Sequence, residues 1–199
     1  MLIVVEGCVG AGKTTVASGL AKYRGARTIF EDFECNPFLQ EFYEDPVAHA
    51  VETEFTFLLL HFHQLKNVRA MASRENYIAD FDLRKDLLYA DLNFTDPKTR
   101  WLFGELYEVL AEQTPLPSLM ICLSASTELL IKRIRQRNRK FEMAIDPSYY
   151  GKINAMYQEF FAEYKGRKLH ISMDEWDFVL MPQLFENLSL LIDHTLETQ

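Results

Sequence analysis

Short apolar runs alternate along the chain with longer stretches whose apolar positions recur at helical spacing. Leu2–Val5 is a continuous apolar run of strand length, and Arg27–Phe30, Tyr77–Phe81, Leu119–Leu123 and Lys168–Ile171 are further strand candidates. Between them the pattern predicts helices over Lys13–Arg24, from Asn36-Pro37 to Tyr43, from Pro46 to about Met71, over Thr95–Glu112 and Ser126–Arg137, from Pro147 to about Tyr164, and over Pro182–Leu196. Strands alternating with helices predict an α/β fold, a parallel five-stranded sheet with helices on both faces. No repeat or linker-like stretch divides the 199 residues, so a single domain over 1–199 is expected.

The turn between the first strand and the first helix carries chemistry. Gly7-Cys8-Val9-Gly10-Ala11-Gly12-Lys13-Thr14 matches GxxxxGK[ST] in full and stands where that motif works, after a buried strand and at the start of a helix. Glycines let the backbone wrap a phosphate closely, and the N–H groups of the loop and helix start hold the anion. Lys13 is expected to reach the β/γ phosphates of a nucleotide, and Thr14 to hold Mg²⁺. Gly7, Gly10, Ala11, Gly12, Lys13, Thr14 and Thr15 make up the candidate nucleotide-phosphate site.

A second feature is basic. Lys132, Arg133, Arg135, Arg137, Arg139 and Lys140 follow one another with no acid among them, and Arg133 and Arg137 share one helix face. Alone, this reads as a solvated helix end interacting with its own dipole. Beside a phosphate loop it reads as a helical lid over about 133–146, closing on the phosphates, with Asn138–Ile145 its mobile part. Open α/β sheets bind ligands beyond the carboxyl ends of their strands, where Glu31-Asp32 and the pair Asp80 and Asp82 fall. Either pair suits a kinase, which needs one carboxylate to orient a hydroxyl and another near Mg²⁺; either also suits turn capping.

These features change what the charge means. The chain has 21 basic and 29 acidic residues, a net −8, yet six of the basic residues lie within Lys132–Lys140, leaving 15 against 29 elsewhere. An acidic chain with one concentrated basic segment does not fit nucleic acid as a partner; it fits a small phosphate ligand. Hydrophobic residues at 48% and aromatics at 13% supply a core and exclude a disordered chain. The three cysteines, Cys8, Cys35 and Cys122, are odd in number and lack CxxC spacing, which fits a reducing compartment. No apolar run approaches the ~20 residues of a membrane span. The start has no basic n-region, so no secretory signal is expected and a cytoplasmic location is.

Taken in order, the motifs resemble the deoxynucleoside kinase family. GCVGAGKTT comes first; Glu31-Asp32-Phe33-Glu34-Cys35-Asn36-Pro37-Phe38-Leu39 is similar to the family's E-P-V-E-x-N-P-F-L, and Phe42-Tyr43-Glu44-Asp45-Pro46 to its F-Y-x-D-P. Arg133-Ile134-Arg135-Gln136-Arg137-Asn138-Arg139 with Glu142 resembles the lid R-I-x-x-R-G-R-x-x-E, and Trp176-Asp177-Phe178 the loop that contacts adenine. The resemblance runs nearly end to end. It implies a P-loop kinase fold, transfer of the γ-phosphate of ATP to the 5′-hydroxyl of a deoxynucleoside with Mg²⁺, and a homodimer. It further implies Glu31 as the base, Lys13 and Arg133 as catalytic cations, and Arg133 with Arg137 clamping the phosphates. Tyr43 and Glu142 would hold the sugar, Arg139 lie near the substrate, Thr14 and Asp80 serve the metal, and Asp177 and Phe178 frame adenine.

The departures all concern the nucleoside. Where relatives carry D-R-S or E-R-S after the third strand, this chain has Asp80-Phe81-Asp82, and Lys85 stands where some bacterial relatives place a Lys. The family's base-reading Gln aligns with Glu54 and a nearby Arg with His61, while Asp86 is retained. An ionised Glu only accepts hydrogen bonds, whereas Gln also donates. Glu54 therefore reads in several ways: as an acceptor for the donors of guanine, as a buried protonated carboxyl imitating an amide, as part of a pocket for another ligand, or as a residue on a solvated face. A purine is the expected substrate. Two alternatives compete, a thymidylate-type nucleoside monophosphate kinase and a catalytically weak ATP-binding sensor or partner protein. Against the first, Glu31–Asp45 holds six acids and no Lys or Arg to receive a second phosphate. Trp101, Phe103 and Tyr107 on the Thr95–Glu112 helix read either as a dimer surface or as core.

Overall fold

The computed structural model describes the chain except Ser73, Lys140, Ile145 and Gln199 and the side chains of Arg69, Met143 and Ala144. Strands β1 (Leu2–Gly7), β2 (Arg27–Ile29), β3 (Tyr77–Ala79), β4 (Leu119–Ser124) and β5 (Lys168–Ser172) form one parallel sheet in the order β2-β3-β1-β4-β5. The helices are α1 (Lys13–Arg24), α2 (Leu39–Glu44), α3 (Pro46–Leu65), α4 (Val68–Met71), α5 (Lys85–Asn93), α6 (Pro97–Ala111), α7 (Thr127–Arg137), α8 (Pro147–Glu163) and α9 (Leu184–Thr198).

β1 is central: Leu2 and Val4 pair with Tyr77 and Ala79 of β3, and Val5 pairs with Ile121 of β4. Every residue of β1 is buried, which requires cover on both faces. Ile3 and Val5 join a core with Val16 and Leu20 of α1, Phe161 of α8 and Ile192 of α9. Leu2 and Val4 turn the other way, onto Val68 and Tyr77. Three helices start by one device, an Asp cap followed by Pro: Asp45, Asp96 and Asp146 accept from the N–H of Ala48, Thr99 and Ser148 at 3.1, 2.9 and 2.7 Å.

Two elements differ from the sequence pattern. The helix expected to reach Met71 ends at Leu65; the chain turns at Lys66-Asn67, and Val68 of the following short helix is buried against β1 and β3. α5 is a helix that the sequence pattern did not single out; the face it buries includes Lys85 and Asp86 beside Ala90. The fold brings the carboxyl ends of β1, β2 and β3 to one edge, so Gly7, Glu31 and Asp80 stand side by side.

Candidate active site

The phosphate loop is shaped by backbone that only glycine tolerates well. Gly10 has φ +85° and Gly12 φ +97°, and a Cβ at Gly10 would sit 2.9 Å from the Leu130 carbonyl oxygen. Lys13 Nζ donates to the carbonyls of Gly7 at 2.8 Å and Cys8 at 3.4 Å, holding the ammonium across the loop. Arg133 Nη1 donates to the Ala11 carbonyl at 3.0 Å, so α7 rests on the same loop. Thr14 Oγ1 donates to Asp80 Oδ2 at 2.5 Å, while the other oxygen of Asp80 accepts from the Glu31 N–H at 2.8 Å. A hydroxyl and a carboxylate side by side are hard oxygen donors that suit Mg²⁺. Among the described residues no cluster of three His, Cys, Asp or Glu suits a metal, so such an ion would take its remaining ligands from phosphate and water.

A cavity of about 500 Å³ opens from this loop. Of the expected site residues, Gly10, Gly12, Lys13, Thr14, Thr15, Glu31, Tyr43, Glu54, Asp80, Asp86, Arg137, Arg139 and Glu142 line it. Glu31 is its best-defined carboxylate. Lys85 Nζ at 2.5 Å and His61 Nε2 at 3.2 Å both meet Oε1, and among the described residues no hydrogen bond engages Oε2. Burial works to raise this carboxyl, but Lys85, His61 and Lys13 outweigh it and hold Glu31 well below the usual carboxylate range. Burial likewise opposes the Lys85 charge, and Glu31, Glu6 and Asp86 overcome it and raise its pKa. The cation missing at Phe81 is thus supplied from α5 by Lys85, and Phe81 itself is fully buried.

At the far end lies Glu54, 3% exposed, which excludes the solvated-face reading. Asn93 Nδ2 donates to its Oε1 at 2.7 Å and also reaches the Tyr149 hydroxyl at 3.3 Å. Burial pushes the Glu54 carboxyl up to about 8, which favours the protonated form, and that form offers both a donor and an acceptor, as an amide does. His61 is not among the cavity-lining residues. It stands one layer back, its Nδ1 between the oxygens of Asp86 at 2.8 and 2.9 Å and its ring beside those of Phe57 and Phe81. Lys85, which the sequence matched to the Lys of some bacterial relatives, is the ion partner of Glu31, whereas sequence reasoning missed Asn93 and Tyr149 altogether. Asn93 and Lys85 belong to α5, the helix the pattern did not reveal.

The lid residues surround Glu142, which is buried. Its carboxylate accepts from Arg137 Nε at 2.9 Å and Nη2 at 2.5 Å and from Arg139 Nη1 at 3.5 Å, and its carbonyl accepts from the Tyr150 hydroxyl at 2.9 Å. The Arg139 guanidinium also lies 4.1 Å over the Phe33 ring. Asn138, where the family pattern has Gly, takes the left-handed conformation at φ 54° that ends α7, and Asn is the side chain best suited to it after Gly. Lys140 of the basic run and Ile145 of the expected mobile segment lie outside the described residues. Asp177 and Phe178 are not among the cavity-lining residues: Asp177 Oδ1 accepts from the N–H of Val179 and Leu180, both at 3.0 Å, and Phe178 is buried against Trp176 and Phe185.

The sequence model of the family described as "Deoxynucleoside kinase" matches residues 3–197. The chain belongs to the deoxynucleoside kinase family. It is 31% identical to a deoxyadenosine kinase of Lactobacillus acidophilus over 89% of this chain and 88% of that protein. It is 29% identical to a deoxyguanosine kinase of Bacillus subtilis over 94% of this chain and 93% of that one. A solved deoxyadenosine kinase of M. mycoides with bound dATP has the same fold, with a TM-score of 0.83, 25% identity and coverage of 95% and 99% of the two chains. As a deoxynucleoside kinase the chain is a phosphotransferase with a P-loop kinase fold. The monophosphate-kinase alternative is not favoured: the relatives are deoxyadenosine and deoxyguanosine kinases, and the acceptor-side Lys85 is paired to Glu31. Among the described residues no helix is long and apolar enough to cross a membrane.

Proposed function

We propose that this kinase transfers the γ-phosphate of ATP to the 5′-hydroxyl of a purine 2′-deoxynucleoside in the cytoplasm. The observation that carries the reading is Glu31, fixed through one oxygen with the other unengaged among the described residues, in the same cavity as the phosphate loop. The unengaged oxygen accepts a hydrogen bond from the 5′-hydroxyl and aims it at the γ-phosphorus. Glu31 is a weak base in the resting site, so the proton crosses to it late, as the new O–P bond forms and the hydroxyl becomes acidic, while the bond to the ADP oxygen breaks. Lys13 and the arginines of α7 and the lid neutralise the charge on the transferring group. Thr14 and Asp80 would hold Mg²⁺, which when bound neutralises phosphate charge and orients the phosphates. Protonated Glu54 gives a donor and Asp86, whose oxygens face His61 Nδ1, an acceptor to the base, a pair that suits a purine edge; the deoxyadenosine and deoxyguanosine kinases among the relatives support that class.

The acceptor side is close to neutral: the charges of Glu31 and Asp86 are balanced by Lys85 and His61, which favours an uncharged nucleoside over its monophosphate. The working unit in this reading is a homodimer through α6, whose Trp101, Leu102 and Val109 are exposed while Phe103 and Tyr107 are core. Sedimentation equilibrium showing a monomer overturns the dimer. A panel of four deoxynucleosides with ATP and Mg²⁺, each competed by its monophosphate, tests the reaction; fastest turnover of a pyrimidine rejects the purine assignment. Glu31→Gln is expected to lower kcat at least about a hundredfold, and unchanged turnover removes Glu31 from the mechanism.

A further inference from the structure

His61 is buried at 1% exposure, and both of its ring nitrogens meet carboxylates: Nδ1 lies 2.8 and 2.9 Å from the oxygens of Asp86, and Nε2 lies 3.2 Å from Glu31 Oε1. A neutral imidazole has only one N–H, so serving both carboxylates requires the imidazolium. Burial opposes that charge, but Asp86 and Glu31 outweigh burial and the nearby Lys85 and raise the group to about 9. The ring is held in place by Phe57 at 5.4 Å and 19° on one contact and by Phe81 at 4.8 Å and 33° on another. Phe81 therefore has a use of its own, as a wall for the imidazolium.

We infer that His61 is a positioning residue that links the base end of the cavity to the catalytic end, so that a base hydrogen-bonded to Asp86 is felt at Glu31. This rests on the kinase reading above. An N–H of the base donating to Asp86 draws off part of the charge that holds the Nδ1 proton. The imidazolium then bonds Glu31 more firmly through Nε2, and fixes that carboxylate with its unengaged oxygen toward the 5′-hydroxyl. The base contact thereby enters kcat as well as KM. A histidine that merely fills space would leave the two ends independent.

The test crosses two variants with two substrates. The amide nitrogen of Asn overlays Nδ1 and that of Gln overlays Nε2, so His61→Asn keeps the Asp86 contact and His61→Gln keeps the Glu31 contact. Each is assayed with whichever purine deoxynucleoside the wild type turns over faster and with the analogue of that nucleoside lacking the N–H donor of its 1,6-edge (the 6-amino group of adenine or the N1–H of guanine). In the wild type, loss of that donor is expected to lower kcat about fivefold or more; in either variant the loss falls on KM and leaves kcat within about twofold, a non-additivity of the size seen for directly linked groups. Equal fold-losses of kcat in wild type and variants overturn the linkage. Should the variants not fold, wild-type protein carrying ¹⁵N-histidine decides. The His61 ring resonances are expected to shift when the deoxynucleoside binds and not when 2-deoxyribose binds, and unmoved resonances overturn the linkage. A wild type that phosphorylates no deoxynucleoside overturns the function reading and the linkage together, whereas an active wild type with independent losses overturns the linkage alone.

Discussion

At Glu31 two opposed effects meet, and the balance depends on one neighbour. Burial raises the carboxyl, and Lys85 is the largest influence that lowers it. Removing that cation in Lys85→Met leaves only His61 and Lys13 to oppose burial, so the Glu31 pKa rises. The acid limb of the kcat–pH profile is expected to move to higher pH and kcat to fall about tenfold or more, with Lys85→Arg restoring part of both. An acid limb that stays in place would detach Lys85 from Glu31. Glu54 makes the opposite case, a carboxyl kept protonated to about pH 8 by burial. Above that pH it ionises and loses its donor, so KM for the deoxynucleoside is expected to rise while kcat holds. Glu54→Gln retains the donor and is expected to flatten the rise. A KM flat with pH in the wild type would show that Glu54 does not donate to the base.

At the level of elements, capping separates stability from function. Asp45→Ala and Asp96→Ala remove the same kind of cap and are each expected to cost about 1 kcal/mol of stability in denaturant titrations. α3 carries Glu54 and His61 and begins next to Tyr43, whereas α6 supplies no cavity residue among those described, so only Asp45→Ala is expected to raise KM. Equal KM effects would mean the start of α3 does not bear on the cavity. The strands and most helices were legible because their buried faces are apolar: Leu2–Val5 and Leu119–Leu123 could hardly be anything but sheet interior. The same logic hid α5. Its buried face carries Lys85 and Asp86, which face Glu31 and His61 rather than a hydrophobic core, so its inward positions did not read as a buried face. The site was legible where a motif encodes backbone shape, as in Gly7–Thr14, and illegible where a contact joins residues distant in sequence, as between Asn93 and Glu54.

For the molecule as a whole, the buried titratable groups set how stability varies with pH. Glu54 is raised from 4.5 to about 8 and Glu6 from 4.5 to about 7, both chiefly by burial. In each window the folded state binds more protons than the unfolded one, so these groups weaken the fold as pH rises from about 4.5 to 8. His61, raised from 6.5 to about 9 against burial by its carboxylates, contributes stability that is full below 6.5 and lost as pH climbs through 9. Glu31 acts the other way: its depressed pKa contributes stability above 4.5 that is lost as pH falls below its folded value. Tm is therefore expected to be highest near pH 5 to 6 and to decline toward pH 9, with a shallower decline in Glu54→Gln. A Tm that rises between pH 6 and 9 in scanning calorimetry would contradict this assignment of charges.

One carboxylate spans the two halves of the cavity. Asp80 gives one oxygen to Thr14 at the start of α1 and the other to the backbone of Glu31 after β2. In the proposed reaction the departing phosphate and the waiting hydroxyl are thus spaced by a single side chain, one that acts as a gauge rather than a hinge. A gauge of that kind rejects by length. A nucleoside extended by one methylene at C5′ carries the right base and the right sugar, yet its hydroxyl overshoots the line of transfer. Lengthening the gauge itself, in Asp80→Glu, would shift the fit for every acceptor at once, whatever its base.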